Sequence, residues 1–193
     1  MKTKPTRSST GPARAFRDGP LSIRRPEEIV FGTGKSALGP VLVASGGQGI
    51  VSIIVRKKAD ELVGELRQRF PKANLVRDEK ACKPLIVRAT KFIAAPGGQF
   101  GLPLDLRGTE FQQRVWNAVR KIPLGQTSTY AKIADSIGAP KAIRAVASSC
   151  SRCMFAFAVP CHRVLHSAAG RKPDHGDARR LAWVEYEAGL VAR

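Results

Sequence analysis

Cys161 is the residue whose type and setting point most directly to chemistry. It stands in the run Pro160-Cys161-His162-Arg163-Val164, at the end of the apolar stretch Phe155–Val159. That stretch reads as a short buried strand, so the thiol is expected at a strand exit. A cysteine attacks only as thiolate, and a neighbouring base or cation lowers its pKa from about 8.5. His162 supplies the base, Arg163 adds positive potential, and Pro160 fixes the backbone beside them. A Cys-His pair alone is equally at home in a core, because cysteine is among the most buried residue types. Cys150 and Cys153 form a C-x-x-C, and with Cys161 and His162 they offer metal-ligand types. Zinc-like outer spacing is missing, since the second half of the set would use adjacent ligands, so no metal is expected. The stretch Gly32-Thr33-Gly34-Lys35-Ser36 looks like part of a phosphate loop, but the first glycine that loop needs falls on Ile29 and no apolar helix follows. No other cofactor motif is present.

The whole chain bounds what this chemistry can serve. It has 193 residues, 43% of them hydrophobic, enough for one domain or two small ones. Its 33 Lys and Arg against 15 Asp and Glu give a net charge of +18. Such an excess excludes an ordinary neutral surface and favours a polyanionic partner, nucleic acid before membrane. No apolar run approaches the roughly 20 residues that span a bilayer. Met1-Lys2-Thr3-Lys4-Pro5 has no apolar core behind it, so a secretory signal is not expected and the cytoplasm is the expected location. The four cysteines are then expected as free thiols.

The elements around Cys161 follow from pattern. Residues 1–25 carry seven basic residues and one acidic one, with frequent Pro, Gly and Ser, and read as a disordered basic arm. Val41–Ala44 and Ile50–Val55 read as strands joined by a hairpin at Gly46-Gly47. Ala59–Phe70 reads as a helix with Leu62, Val63, Leu66 and Phe70 on one face, and Leu75–Phe92 as partly helical. Leu102–Leu106 is a short extended segment, and a boundary near Arg107 divides the rest into 26–106 and 107–193. Thr109 and Gln112 form a capping box ahead of Phe111, Val115, Val119 and Ile122. Two short helices follow. Thr129 caps the first, Tyr130–Ile137, Gly138-Ala139 turns the chain, and Pro140 opens the second, which ends near Cys150. Ile133, Ile137, Ile143 and Val146 are expected to pack between them. In a basic protein this pair reads as helix-turn-helix, with core packing as the alternative. A last helix, Asp177–Ala188, is expected to face inward through Leu181 and Val184.

Taken in order, Gly108-Thr109-x-Phe111-Gln112-x-x-Val115-Trp116, Ile122-Pro123-x-Gly125-x-Thr127, Thr129-Tyr130-x-x-Ile133-Ala134, Ile137-Gly138-x-Pro140-Lys141-Ala142-x-Arg144-Ala145-Val146 and Val159-Pro160-Cys161-His162-Arg163-Val164 resemble the O6-alkylguanine-DNA alkyltransferase family, and within it the methyltransferase half of Ada-type proteins. The match is dense over residues 107–165 and weak upstream. The resemblance implies an α/β fold: a small ribonuclease-H-like N-terminal subdomain, 26–106, and a winged-helix-like alkyltransferase subdomain with helix-turn-helix, 107–193. It implies a monomer that repairs double-stranded DNA containing O6-alkylguanine by transferring the alkyl group irreversibly to Cys161, with no cofactor and no membrane. By position, His162 matches the histidine that helps draw off the thiol proton, and Glu187 falls near the glutamate that orients it. Tyr130 matches the tyrosine that contacts the flipped base and its phosphate, and Arg144 the arginine that fills the gap in the stack. Lys141, Ala142 and Arg163 fall within the DNA-binding motifs, and the carbonyls of Cys161 and Val164 match those that read the guanine edge. Each aromatic or cation alone has a plainer reading: Tyr130 and Trp116 as core, Arg144 as a solvated helix residue.

The sequence also departs from that pattern. The family usually has an asparagine eight residues before the reactive cysteine, where this chain has Cys153, and a thiol cannot make an amide's paired hydrogen bonds. The loop that normally carries a Gly-Tyr pair reads Gly170-Arg171-Lys172-Pro173-Asp174-His175-Gly176 here, with Pro173 near the tyrosine's place. A more open pocket and slower transfer are the expectation from that loop. Ada's regulatory half has no counterpart in these residues, so its transcriptional switch is not expected. The rivals are an alkyltransferase-like protein that binds the lesion with little or no transfer, and a regulatory DNA-binding protein.

Overall fold

The computed structural model describes residues 27–98, 100–166 and 175–192. The basic arm and most of the altered loop at 170–176 therefore lie outside the described residues. Three strands open the chain: β1 (Glu28–Ser36), β2 (Gly39–Gly46) and β3 (Gly49–Val55), consecutive and antiparallel. A short fourth strand, β4 (Asn74–Arg77), lies parallel to β1, giving the order β3-β2-β1-β4. The helix α1 (Asp60–Arg69) makes the crossover before β4, and α2 (Glu79–Ala94) follows it. The hairpin is where the glycines place it. Sequence pattern missed β1 and β4, and β4 is only four residues long and half-exposed.

The central strand β2 is buried on both faces, and its alternation sorts two cores. Leu42 and Ala44 face Leu62 and Leu66 of α1. Val41 and Val43 face the other way, into a larger cluster with Ala89 and Ile93 of α2. That larger cluster runs on through Val115, Trp116, Ile133, Val146 and Cys161, so the interior crosses residue 107 without a break. Asp78 caps α2 by accepting from the Ala81 amide at 2.8 Å, and the helix continues through Pro84.

The glycines of the discarded phosphate-loop stretch are strand residues that let α2 settle on β1. A Cβ at Gly32 would stand 2.7 Å from the Cβ of Cys82, an atom that cannot swing aside. Gly32→Ala is therefore expected to lower stability by about 1–3 kcal/mol, the usual range for overpacking. A lower urea midpoint at unchanged slope is the signature, and an unchanged midpoint would show that the helix simply moves away.

In the second half, α3 (Glu110–Val119) begins with the expected capping box: Thr109 Oγ1 accepts from the Gln112 amide, and Gln112 Oε1 from the Thr109 amide. The helix stops at Val119, one turn before Pro123. Next come β5 (Ser128–Thr129) and α4 (Tyr130–Ser136), capped by Thr129. Gly138 turns the chain with φ +69°, Pro140–Ala142 forms one 3₁₀ turn, and α5 (Ile143–Ser151) completes the pair. Ile133, Ile137 and Val146 pack inward as expected, but Ile143 does not: it opens α5 and is 43% exposed. Trp116 Nε1 donates to the Ser149 carbonyl at 2.9 Å and ties α3 to the end of α5.

The expected strand at Phe155–Val159 is replaced by a single bridge and a turn. Phe155 pairs with Ile53, and Phe157 then adopts φ +62°. The chain doubles back because Val159 N donates to Phe155 O and Ala158 N to Ala156 O. The last helix, α6 (His175–Val191), begins close to where sequence places it. Glu187 is its buried residue, and the half-buried Trp183 and Tyr186 pack against the larger core, while Leu181 and Val184 are equally half-buried but belong to neither core cluster. Among the described residues no helix is long and apolar enough to cross a membrane.

Candidate active site

Cys161 is held in place by the sheet at one remove. Ile53 N on β3 donates to Met154 O, and Ala156 N donates back to Ile53 O. This pins the segment that leads to the turn. Cys161 N then donates to Val159 O, Arg163 N to Pro160 O, and Cys161–Arg163 closes into one 3₁₀ turn. The chain leaves as β6 (Val164–Leu165), paired in parallel with β5. That pairing brings Tyr130, the first residue of α4, beside the segment that follows the cysteine. Cys161 is 8% exposed and lines a cavity of about 190 Å³.

Behind the thiol stands a buried polar group of three side chains, two from the 3₁₀ turn and one from α6. His162 Nε2 lies 2.9 Å from Glu187 Oε1. Arg163 donates through Nε to Glu187 Oε2 and through Nη2 to Oε1, each at 2.8 Å, and through Nη1 to the Ile122 carbonyl at 2.7 Å. Such a fork against a carboxylate is the strong, directional form of ion pair. Burial alone would raise the Glu187 carboxyl, but the hydrogen bonds from His162 and Arg163 outweigh it and hold it below its ordinary value. Burial pushes His162 down, further than Glu187 pulls it up. The imidazole is therefore neutral beside an ionised carboxylate. An anionic oxygen can only accept, which assigns the imidazole proton to Nε2 and leaves Nδ1 as a base. Phe157 and Trp183 pack on the ring at centroid distances of 4.7 and 5.5 Å and fix its plane.

The resting thiol is protonated. Hydrogen bonds with Cys150 and Cys153, together with burial, push the Cys161 pKa well up. A sulfur in this state attacks only when a base takes its proton as the bond forms. Among the described residues no group of three or more His, Cys, Asp or Glu side chains could hold a metal ion.

The remaining residues singled out by sequence divide into two groups. Tyr130 is buried, with its ring edge-on to His166 at 4.8 Å and the Arg180 guanidinium 5.7 Å from its centre. Val164 is buried, and Arg180 Nη1 reaches its carbonyl at 3.4 Å. Lys141 and Arg144 are exposed at the start of α5, with Ala142 half-buried between them. Arg163, expected at the DNA, is instead 6% exposed and spent on Glu187. Sequence reasoning missed the closeness of Cys150 and Cys153 to Cys161, for which the C-x-x-C was the available signal. It also missed Phe157, Trp183 and Arg180, which only the fold brings to the site.

Comparison with known proteins agrees with this arrangement. Residues 110–188 match the model of the 6-O-methylguanine DNA methyltransferase DNA-binding domain. The chain is 37% identical over 153 residues to the Escherichia coli bifunctional transcriptional activator/DNA repair enzyme Ada, covering 79% of this chain and 42% of Ada. It thus spans less than half the length of that relative. It is 34% identical over 161 residues to the Mycobacterium tuberculosis methylated-DNA--protein-cysteine methyltransferase, covering 82% of this chain and 92% of the relative. The crystal structure of the M. tuberculosis O6-methylguanine methyltransferase superposes with a TM-score of 0.68 at 33% identity, over 83% of this chain and 93% of that one. The M. tuberculosis protein solved in complex with DNA gives 0.66 at 32% identity, with the same coverage of both chains. With near-complete coverage of a relative at this identity, the same fold, and the thiol backed by its histidine and glutamate, the chain belongs to the O6-methylguanine-DNA methyltransferase family.

Proposed function

We propose that this protein reverses O6-alkylguanine damage in double-stranded DNA by taking the alkyl group onto Cys161, once per molecule. The observation that carries the reading is the protonated thiol of Cys161 followed directly by a neutral His162 whose Nε2–H is committed to Glu187. His162 Nδ1 takes the thiol proton, through water, as sulfur attacks the alkyl carbon. The C–S bond forms, the C–O6 bond breaks, and guanine leaves with the electron pair and regains its proton. The thioether has no easy reversal, so each chain acts once, and no cofactor is required. Arg163 holds Glu187, and through it the imidazole, rather than touching DNA.

An alkyl group on a stacked base is out of reach, so the base is extruded at a cost of a few kcal/mol, less for a damaged base. In this reading α4 and α5 act as the helix-turn-helix of a winged-helix-like subdomain, 107–193, backed by a ribonuclease-H-like subdomain, 26–106. The basic arm, 1–25, adds sequence-independent phosphate contacts. Lys141 and Ala142 meet the backbone, exposed Arg144 enters the stack, Tyr130 walls the base pocket, and the carbonyls of Cys161 and Val164 read the guanine edge. The net charge of +18 supports a DNA partner, and the cytoplasm is the proposed location.

Incubation with duplex carrying labelled O6-methylguanine tests the reading. One methyl per chain on peptide 153–163, with sub-stoichiometric protein leaving lesion unrepaired, is the expected result. Tight lesion binding with no label on protein would make it a lesion-binding protein instead. A second expectation concerns Arg144→Ala. It should slow transfer from duplex by roughly 10- to 100-fold, the rate equivalent of part of the extrusion cost, and leave transfer from free O6-alkylguanine nearly unchanged. Equal losses on both substrates would mean that Arg144 acts on the thiol or the fold.

A further inference from the structure

Three of the four free cysteines converge on one cavity. Cys150 ends the buried face of α5, and Cys153 follows in the turn, its amide donating to the Cys150 carbonyl at 3.3 Å. Cys161 comes from the other side of the Phe155–Val159 turn, and it lines the same cavity as Cys150 and Cys153. The pairing of residues 154–156 with Ile53 fixes the entering arm of this turn on the sheet, and Val159 N, donating to Phe155 O, folds the arm that carries Cys161 back onto it. Their access differs. Cys150 and Cys161 are buried, at 3% and 8% exposure, whereas Cys153 is half-buried at the cavity wall. Nothing in the transfer reaction uses a second or third thiol.

We propose that Cys153 and Cys161 form a reversible disulfide under peroxide, which switches the acceptor sulfur off and shields it. The inference rests on the reading of Cys161 as acceptor. Cys153, the thiol that solvent reaches, attacks one oxygen of hydrogen peroxide as thiolate. The O–O bond breaks, giving a sulfenic acid at Cys153 and hydroxide, which takes up the proton released by the thiol as water. Cys161 sulfur then attacks the sulfenic sulfur. The S–S bond forms, the S–O bond breaks, and the oxygen leaves as water with the Cys161 proton. Two thiols and one peroxide give one disulfide and two waters, the sulfurs losing the two electrons that peroxide gains. With its sulfur bridged, Cys161 cannot accept an alkyl group. Nor can it proceed to the sulfinic and sulfonic acids, which dithiols do not reverse. A small dithiol attacks the bridge and restores both thiols.

The bridge can be read without reference to repair. Tryptic cleavage after Arg152 and Arg163 leaves Cys153 and Cys161 on one peptide, 153–163, and Cys150 on another, 145–152. After brief exposure to peroxide and alkylation of free thiols, peptide 153–163 should appear two hydrogens lighter and unalkylated, and dithiothreitol should reverse this. A bridge joining peptides 145–152 and 153–163, or only higher oxides of Cys161, would overturn the proposal. Transfer is read in parallel. Oxidised wild type should lose at least tenfold in the fraction of chains that accept methyl and regain it with dithiothreitol. Cys153→Ser, scored against its own reduced activity, should lose transfer to peroxide without recovering it in dithiothreitol. A reversible loss in Cys153→Ser would sink the assignment of the partner. Should the light peptide form in a protein that never transfers methyl, the repair reading fails and the disulfide stands.

Discussion

Cys161→Ser is expected to abolish methyl transfer while leaving duplex binding essentially unchanged. The oxygen is nearly isosteric with the sulfur, and a site that is only 8% exposed gains no new surface from the exchange. What changes is chemistry. A thiol ordinarily ionises near pH 8.5, and its sulfur becomes a strong nucleophile as a positioned base takes the proton. An alkyl alcohol is far less acidic, and its oxygen is a poorer nucleophile toward saturated carbon. The side chains proposed to meet DNA, Lys141 in the 3₁₀ turn before α5 and Arg144 on α5, are exposed and do not depend on the sulfur. Intact-protein mass spectrometry after incubation with O6-methylguanine duplex should show one added methyl per wild-type chain and none in the variant. Mobility shift at fixed salt should give the same affinity for both. Methyl found on Cys150 or Cys153 in the variant would overturn the assignment of the acceptor, and that outcome is a real test here because both sulfurs touch the same cavity.

The sequence carried the local features of this site and lost the long-range ones. The capping box at Thr109, the cap at Thr129, the turn at Gly138 and the proline at 140 were legible because each is fixed by residues a few positions apart. The strand expected before Cys161 was not, because its alternating apolar residues fill a tight turn around Phe157 rather than a ladder. Arg163 was read as a DNA contact from its charge and its motif. Its burial depends on Glu187 arriving from 24 residues downstream, and no local period announces that. The inward face of α6 was misjudged for the same reason. Leu181 and Val184 are the apolar choice, but Glu187 is the residue the core needs, because without it the buried Arg163 charge would keep only the Ile122 carbonyl and His162 would lose its acceptor. The thiol cluster shows the converse: its C-x-x-C was visible, but that Cys161 completes it follows only from the chain doubling back.

Glu187 is where stability and chemistry meet, so its replacement should affect both. In Glu187→Ala the Arg163 guanidinium keeps only the Ile122 carbonyl, and a charge that is 6% exposed loses its counter-ion. Breaking a buried pair in this way costs about 3–5 kcal/mol. Glu187→Gln keeps the shape and separates the two roles. Its amide has one oxygen, which Arg163 claims, and its NH₂ then faces His162 Nε2 as a donor. The imidazole proton must shift to Nδ1, and the base is lost. Transfer should fall by about 10²–10⁴-fold, the usual worth of a positioned base, with a smaller loss of stability than in the alanine variant. The pH dependence follows from the same group. His162 and Glu187 both have folded-state pKa values below their ordinary ones. As pH falls below about 6.5 the unfolded chain takes up the histidine proton that the folded chain refuses, and near pH 4 the same holds for the carboxylate. Wild-type stability should therefore decline from about pH 6.5 downward in two stages. In Glu187→Gln the lower stage should shrink, because the substituted amide does not titrate. Urea midpoints measured from pH 7.5 to pH 3.5 for the two proteins would show this. Parallel curves would mean that other carboxylates govern acid unfolding, and that His162 and Arg163 do not hold Glu187 ionised.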